Sequence, residues 1–217
     1  MTFTGFGDRA LDFYEGLEAD NSKAYWTDHK SIYEDEVRGP MAALLAELEP
    51  EFGAGKIFRP YRDVRFARDK SPYKTHCGAV IEQGRGGGAY YVEISADGLR
   101  IGGGSFHMAA DQLARYRVAV DDDRRGNRLR KIIDTLAARG WEINGEQLKT
   151  APRGFTADHP RIDLLRHKSI WSARRWDPDE ATHERETLDR VATGWRELAA
   201  FNEWCVDHVG VSDRAAR

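Results

Sequence analysis

The chain has 217 residues, of which 41% are hydrophobic and 32% charged, and 33 Lys and Arg stand against 36 Asp and Glu for a formal net charge of −3. It is too apolar for a disordered segment and long enough to bury roughly 70% of its unfolded surface, so a sizeable core is available. No run of eighteen apolar residues exists to make a transmembrane helix, and a pI of about 6.2 speaks against general binding to the DNA backbone.

The first residues lack the basic and apolar regions of a secretory signal, which makes a cytoplasmic location the default expectation. Cys77 and Cys205 lie far apart with no nearby partner, so neither a disulfide framework nor a thiolate zinc site is indicated.

In chain order, Phe6, Ala10, Leu11, Phe13, Tyr14 and Leu17 recur at helical spacing, and Asp20, Asn21 and Ser22 offer caps for a second helix through Tyr25, Trp26, Lys30 and Tyr33. Gly39 and Pro40 predict a break or restart, a restarted helix over 41–48 and its end before Pro50 and Gly53. From Lys56 to about Phe106 the period falls to two, predicting antiparallel strands at 64–66, 79–81, 90–94 and 99–101. Asp97 and Gly98 suit a type I′ hairpin, residues 83–88 a looser connection, and Gly102, Gly103 and Gly104 a bulge, a close backbone approach or room for a ligand. Helical spacing returns over 109–120 and 127–139, closed by Gly140, and Asn144 with Gly145 suggests a hairpin. A loop over 151–160, a short helix near 162–165 and an extended segment 167–176 follow. A last long helix starts with Asp177 as cap and Pro178 at its first position, its core face being Leu188, Val191, Trp195, Leu198, Asn202 and Cys205. Without an internal repeat or linker, residues 1–217 read as a single α+β domain: a central antiparallel sheet, helices packed on it and a long C-terminal helix.

Residues 62–76 depart from the charge of the rest. Arg62, Arg65, Arg68, Lys70 and Lys74 face only Asp63 and Asp69, a local charge of plus three, with Pro72, Tyr73 and His76 beside them. Such a segment has the composition of an anion-holding loop. The order Arg62-Asp63-x-Arg65-Phe66-x-x-Asp69-Lys70-x-Pro72-Tyr73-Lys74 resembles the signature of a bacterial and fungal family of conserved hypothetical proteins classed as a domain of unknown function. Leu17-x-x-Asp20-Asn21-x-Lys23-x-x-Trp26, Tyr90-Tyr91-x-Glu93-Ile94, the three glycines, Leu148-Lys149 and His159-Pro160 agree with it in order and spacing. Ser22 stands where a second Asn is expected, and Ser105-Phe106 where a Trp is. The resemblance implies no particular activity, substrate or cofactor.

From the residues themselves, Arg62, Arg65, Arg68, Lys70, Tyr73 and Lys74 are the expected ligand contacts, and Asp63, Asp69 and His76 the candidates for acid or base work, for an anionic small molecule carrying phosphate or carboxylate. These residues define a site and its charge preference rather than a reaction, a cofactor or an oligomeric state. Against this stand a structural reading, in which the arginines only pair with Asp63 and Asp69, and an interaction module using Trp26, Tyr33, Tyr90, Tyr91 and Trp171 as stacking platforms. That module would add Lys149, Arg153, Arg161, Arg166 and Lys168 as a second basic zone for protein or single-stranded nucleic acid. Cys77, beside Lys74 and His76, reads either as a nucleophile or as a small buried hydrophobe. His76, His107, His159 and His167 lack metal-ligand spacing, and no metal site is expected. No membrane partner is expected either.

Overall fold

The computed structural model describes residues 2–65, 68–83 and 87–213. Three helices open the chain: α1 (Ala10–Ala19), α2 (Lys23–Ile32) and α3 (Gly39–Phe52). Ser22 caps α2 by accepting the Tyr25 N–H at 3.1 Å. The expected break at Gly39 and Pro40 does not occur. Residues Tyr33–Arg38 widen into a π-helical turn, and Pro40 enters the first turn of α3, where it needs no donor. Pro50 likewise lies inside α3, in its last turn, where it forfeits a single bond. The helix ends instead at Gly53, whose N–H reaches Glu49 O at 2.9 Å.

The strands are β1 (Lys56–Ile57), β2 (His76–Gln83), β3 (Gly88–Ser95) and β4 (Gly98–Ser105). After α4 (Ala110–Asp121) and α5 (Asp123–Ala138) come β5 (Glu142–Asn144), α6 (Ile162–Leu165), β6 (Ile170–Trp176) and the 23-residue α7 (Glu186–His208). The fold is α+β, with one six-stranded antiparallel sheet in the order β1-β2-β3-β4-β6-β5. Among the described residues no helix is long and apolar enough to cross a membrane.

Four further expectations are corrected. Residues 64 and 65 are not a strand, because Asp63 and Lys70 claim the local backbone groups; Phe66 lies outside the described residues, as do residues 84–86 of the expected loose connection. Asp97 keeps a negative φ, so the 95–98 turn is not type I′, and only Gly98 (φ 91°) takes the left-handed region, as in a type I turn closed by a glycine bulge. Asn144 and Gly145 make no hairpin: β5 pairs antiparallel with β6, Glu142 opposite Ala173 and Asn144 opposite Trp171. The last helix begins at Glu186 rather than at Pro178. Asp179, instead of Asp177, caps a single 3₁₀ turn over Glu180–His183 by accepting the Thr182 N–H, and an extended Glu184 separates that turn from α7.

Residues 1–81, 91–101 and 175–193 form one compact unit, and 82–90, 102–174 and 194–217 a second. The first has an aromatic centre: Phe13 meets Trp26 edge-on at 5.8 Å and Trp26 lies 4.8 Å from Tyr33, all buried. Its N-terminus is tied by Glu47, which takes a paired contact from Arg185 and the Phe3 N–H at 2.6 Å. These hold the Glu47 carboxyl down to about 2, against 4.5 unperturbed. A depressed folded value contributes stability that is complete above about pH 4.5 and lost as pH falls toward 2. Glu47→Gln should therefore lower the urea midpoint at pH 6 and leave it level with the native chain near the bottom of that window.

The second unit packs Tyr90 on Trp195 at 5.2 Å and Tyr116 edge-on to Trp204 at 5.9 Å. The glycine run answers the question raised by its sequence: Gly102, Gly103 and Gly104 continue β4 and let neighbouring backbone approach. A Cβ on Gly102 would stand 2.7 Å from Ser172 O, and one on Gly104 2.6 Å from Ile170 O.

Candidate functional site

The basic loop is a closed structure anchored in the first unit. Arg62 N–H bonds Pro72 O at 2.9 Å, Lys74 N–H bonds Pro60 O at 2.8 Å, and Tyr61 bridges Tyr73. Asn21, at the junction of α1 and α2, holds both backbone groups of Tyr73: it accepts from the N–H at 3.0 Å and donates to the carbonyl at 3.1 Å. The Tyr73 ring is buried and lies flat on Trp26, 4.4 Å away with 7° between planes. The motif's Tyr and the upstream Asn and Trp thus form one clamp.

Within the loop most charges meet each other. Arg65 grips Asp63 with two bonds of 2.9 and 2.6 Å, and Arg62 pairs closely with Asp69. Asp69 also accepts the Ser71 hydroxyl at 2.6 Å and the Ser71 N–H at 2.9 Å. The Ser71 hydroxyl first, then Arg62, holds the Asp69 carboxyl far below the usual range, and Arg65 lowers that of Asp63. The Lys70 ammonium donates a hydrogen bond to Val64 O at 2.9 Å. Arg68 is exposed and makes no ion pair or hydrogen bond among the described residues.

A second group of polar side chains stands on the less buried face of the sheet, where the loop runs into β2. His76 and Gly78 alternate onto this face from β2, Tyr91 and Glu93 from β3 and Arg100 from β4. The Tyr91 hydroxyl donates to Glu93 in a short contact, and the Glu93 carboxylate lies 3.9 Å from His76 Nε2 and 3.7 Å from Arg100 Nη1. Gly78 makes this possible, since a Cβ there would be 2.5 Å from the Tyr91 hydroxyl oxygen. Burial pushes the Tyr91 phenol far above its ordinary value, with Glu93 adding to it, and burial pushes His76 down despite Glu93, helped by Lys74 and Arg100. Burial thus favours the neutral form of the His76 ring.

Lys74 differs from the other cations. Its Nζ sits 5.0 Å over the Phe58 ring and makes no ion pair among the described residues. Burial, then the charge of Arg59, lowers its pKa. Sequence reasoning singled out Lys74 and His76, took Tyr91 only as a stacking platform, and did not bring Glu93 or Arg100 to this face. The Tyr91-x-Glu93 spacing put two polar groups on one strand face and was the available signal.

The remaining candidates disperse. Cys77 points to the opposite, buried face of β2, and burial pushes its thiol up to about 12, as it does that of Cys205. The small-hydrophobe reading holds. In the folded chain both thiols should alkylate at pH 8 at least about a thousandfold more slowly than in urea, a contrast that timed iodoacetamide labelling reads directly. Trp26, Tyr33 and Tyr90 are buried, and Trp171 stacks on Phe106 at 5.5 Å. Arg161 is 5% exposed and spends its donors internally, and Lys168 pairs with Glu146. Among the described residues no three His, Cys, Asp or Glu side chains gather as a metal centre needs.

Fold and site together define an α+β protein with a clamped basic loop beside a polar sheet face. The chain matches the conserved hypothetical protein family DUF2461 over residues 9–204 and belongs to that family. No curated protein matches it.

Proposed function

We propose that the sheet face at the foot of the basic loop receives the phosphate or carboxylate of a small molecule. Lys74 is the principal contact in this reading, with the His76 ring and Arg100 as further contacts and the exposed Arg68 as an additional cation. The observation that carries the proposal is the half-buried ammonium of Lys74, with no carboxylate to meet it among the described residues. An ammonium whose charged form is already disfavoured by burial and by Arg59 gains more from an arriving anion than a surface lysine does. Arg62, Arg65, Lys70 and Tyr73, with Asp63 and Asp69, take a different role: they shape the loop. Their ion pairs are exposed, and their partners are within the same few residues.

A thermal-shift panel of phosphorylated and carboxylated metabolites tests this. A hundredfold excess over Kd contributes about 2.7 kcal/mol, or roughly 5–10 °C in Tm for a chain of this size. Lys74→Met should abolish the rise with a near-native Tm in the absence of ligand. Arg62→Ala should lower the ligand-free Tm and keep the rise. If no anion in either class stabilises the native chain, the proposal fails.

A further inference from the structure

We infer that the second unit carries a separate site for a small organic ammonium compound bearing a hydroxyl or amide, set between the C-terminal half of α7 and the ends of β2 and β3. A cavity of about 220 Å³ opens here, lined by Gln83, Tyr90, Asn202, Glu203, Val206 and Asp207. Three independent features point to a ligand. Asn202 is 2% exposed, yet among the described residues neither its Nδ2 nor its Oδ1 has a hydrogen-bond partner. A buried amide left so is costly, and native proteins seldom tolerate one that nothing ever satisfies. Next, Gly103 clears the space it occupies: a Cβ there would lie 3.1 Å from Nδ2. Gly88, on the neighbouring strand, admits the Asn202 backbone, whose O would lie 3.0 Å from an added Cβ.

The third feature is electrostatic. Glu203 and Asp207 are one helical turn apart, both in the last two turns of α7, and neither makes an ion pair among the described residues. Like charges at this spacing repel, and acids near a helix C-terminus oppose its dipole, so folding gains nothing from either placement. A cation lying between them relieves both. The rim accepts an ammonium, while the floor offers one donor and one acceptor from the same amide. Short amino alcohols present that combination, and the cavity is below the usual size of drug-like sites, which limits the occupant to a few heavy atoms.

The proposal does not depend on the anion site, which lies in the first unit and prefers the opposite charge. Its test is a ¹H–¹⁵N titration of the full chain with ethanolamine, with ethylene glycol as the uncharged counterpart. The expected result is a saturable shift of the Asn202 side-chain amide and of backbone signals over 199–207, at least about tenfold weaker in the Glu203→Gln, Asp207→Asn double variant and for ethylene glycol. Both substitutions are on exposed positions, so folding is not at stake. Asn202→Leu, whose folding the same spectra report, should lose the shift. No saturable shift in the native chain, an undiminished one in the double variant, or equal binding of ethylene glycol overturns the inference.

Discussion

Gly104→Ala is expected to lower stability by about 4 kcal/mol, the sum of a strained backbone and an overlap that cannot relax. Gly104 has φ 124°, a region L side chains rarely adopt, and its Cβ would stand 2.6 Å from Ile170 O and 2.8 Å from Trp171 Cα. Those atoms are the backbone of β6, the strand paired with β4, so relief requires the pair to part. Gly140→Ala is the matching control. Its φ is 82° but nothing lies within 4 Å of the added carbon, so it carries the conformational cost alone, roughly 1 kcal/mol. Gly103→Ala should fall between the two, since the nearest atoms it meets are the side-chain ends of Asn202 and Leu198 at 3.1 Å. Urea unfolding of the three variants orders them; a Gly104→Ala midpoint no lower than that of Gly140→Ala would refute the close-approach account of the glycine run.

Arg161→Ala should cost about 3 kcal/mol although the residue carries no part of the proposed anion site. The Arg161 guanidinium donates to Val120 O at 2.7 Å, Asp121 O at 2.8 Å, Asn127 Oδ1 at 3.0 Å and Asp123 Oδ1 at 2.8 Å. The first two are final carbonyls of α4, which no intrahelical N–H can reach, and Val120 is fully buried. Removing the side chain strands Val120 O in apolar surroundings and empties the space above Gly126. The ion pair with Asp123 contributes little, because that carboxylate is 91% exposed. Arg161→Lys should recover less than half of the loss, since an ammonium cannot bridge carbonyls held by a planar fork. With a urea m-value of about 2–3 kcal/mol/M the Ala variant's midpoint falls by more than about 1 M. A shift under a few tenths of that would show that water replaces the arginine.

These two residues also show where sequence reading succeeds and where it stops. Periodicity located α1, α4 and α5 and the alternation of β3, because one face of each is buried and the spacing follows from that. It also flagged the glycine run as a close approach, without naming the strand that approaches. Arg161, by contrast, looked like part of a basic surface. Its burial depends on the α4–α5 corner meeting residues some forty positions later, and local composition carries no trace of that. Val64 and Arg65 read as strand because Val has high β propensity, but the Asp63 and Lys70 contacts outweigh propensity in a short segment. The site was half legible. Lys74 closes the signature and His76 follows two residues later, whereas Tyr91, Glu93 and Arg100 join them only when strands distant in sequence share a sheet face. Arg62, Arg65 and Lys70, expected as ligand contacts, also have acceptors inside the same loop that the sequence did not reveal: Asp69 seven residues from Arg62, Asp63 two from Arg65 and Val64 O six from Lys70.

Calorimetric titration of pyrophosphate into the native chain, Lys74→Met and Arg62→Met tests the central claim most directly. The account predicts saturable binding to the native chain, affinity at least about tenfold weaker in Lys74→Met, and affinity largely retained in Arg62→Met. Native and Lys74→Met chains that bind equally, or a native chain that binds neither pyrophosphate nor a tricarboxylate, would contradict it.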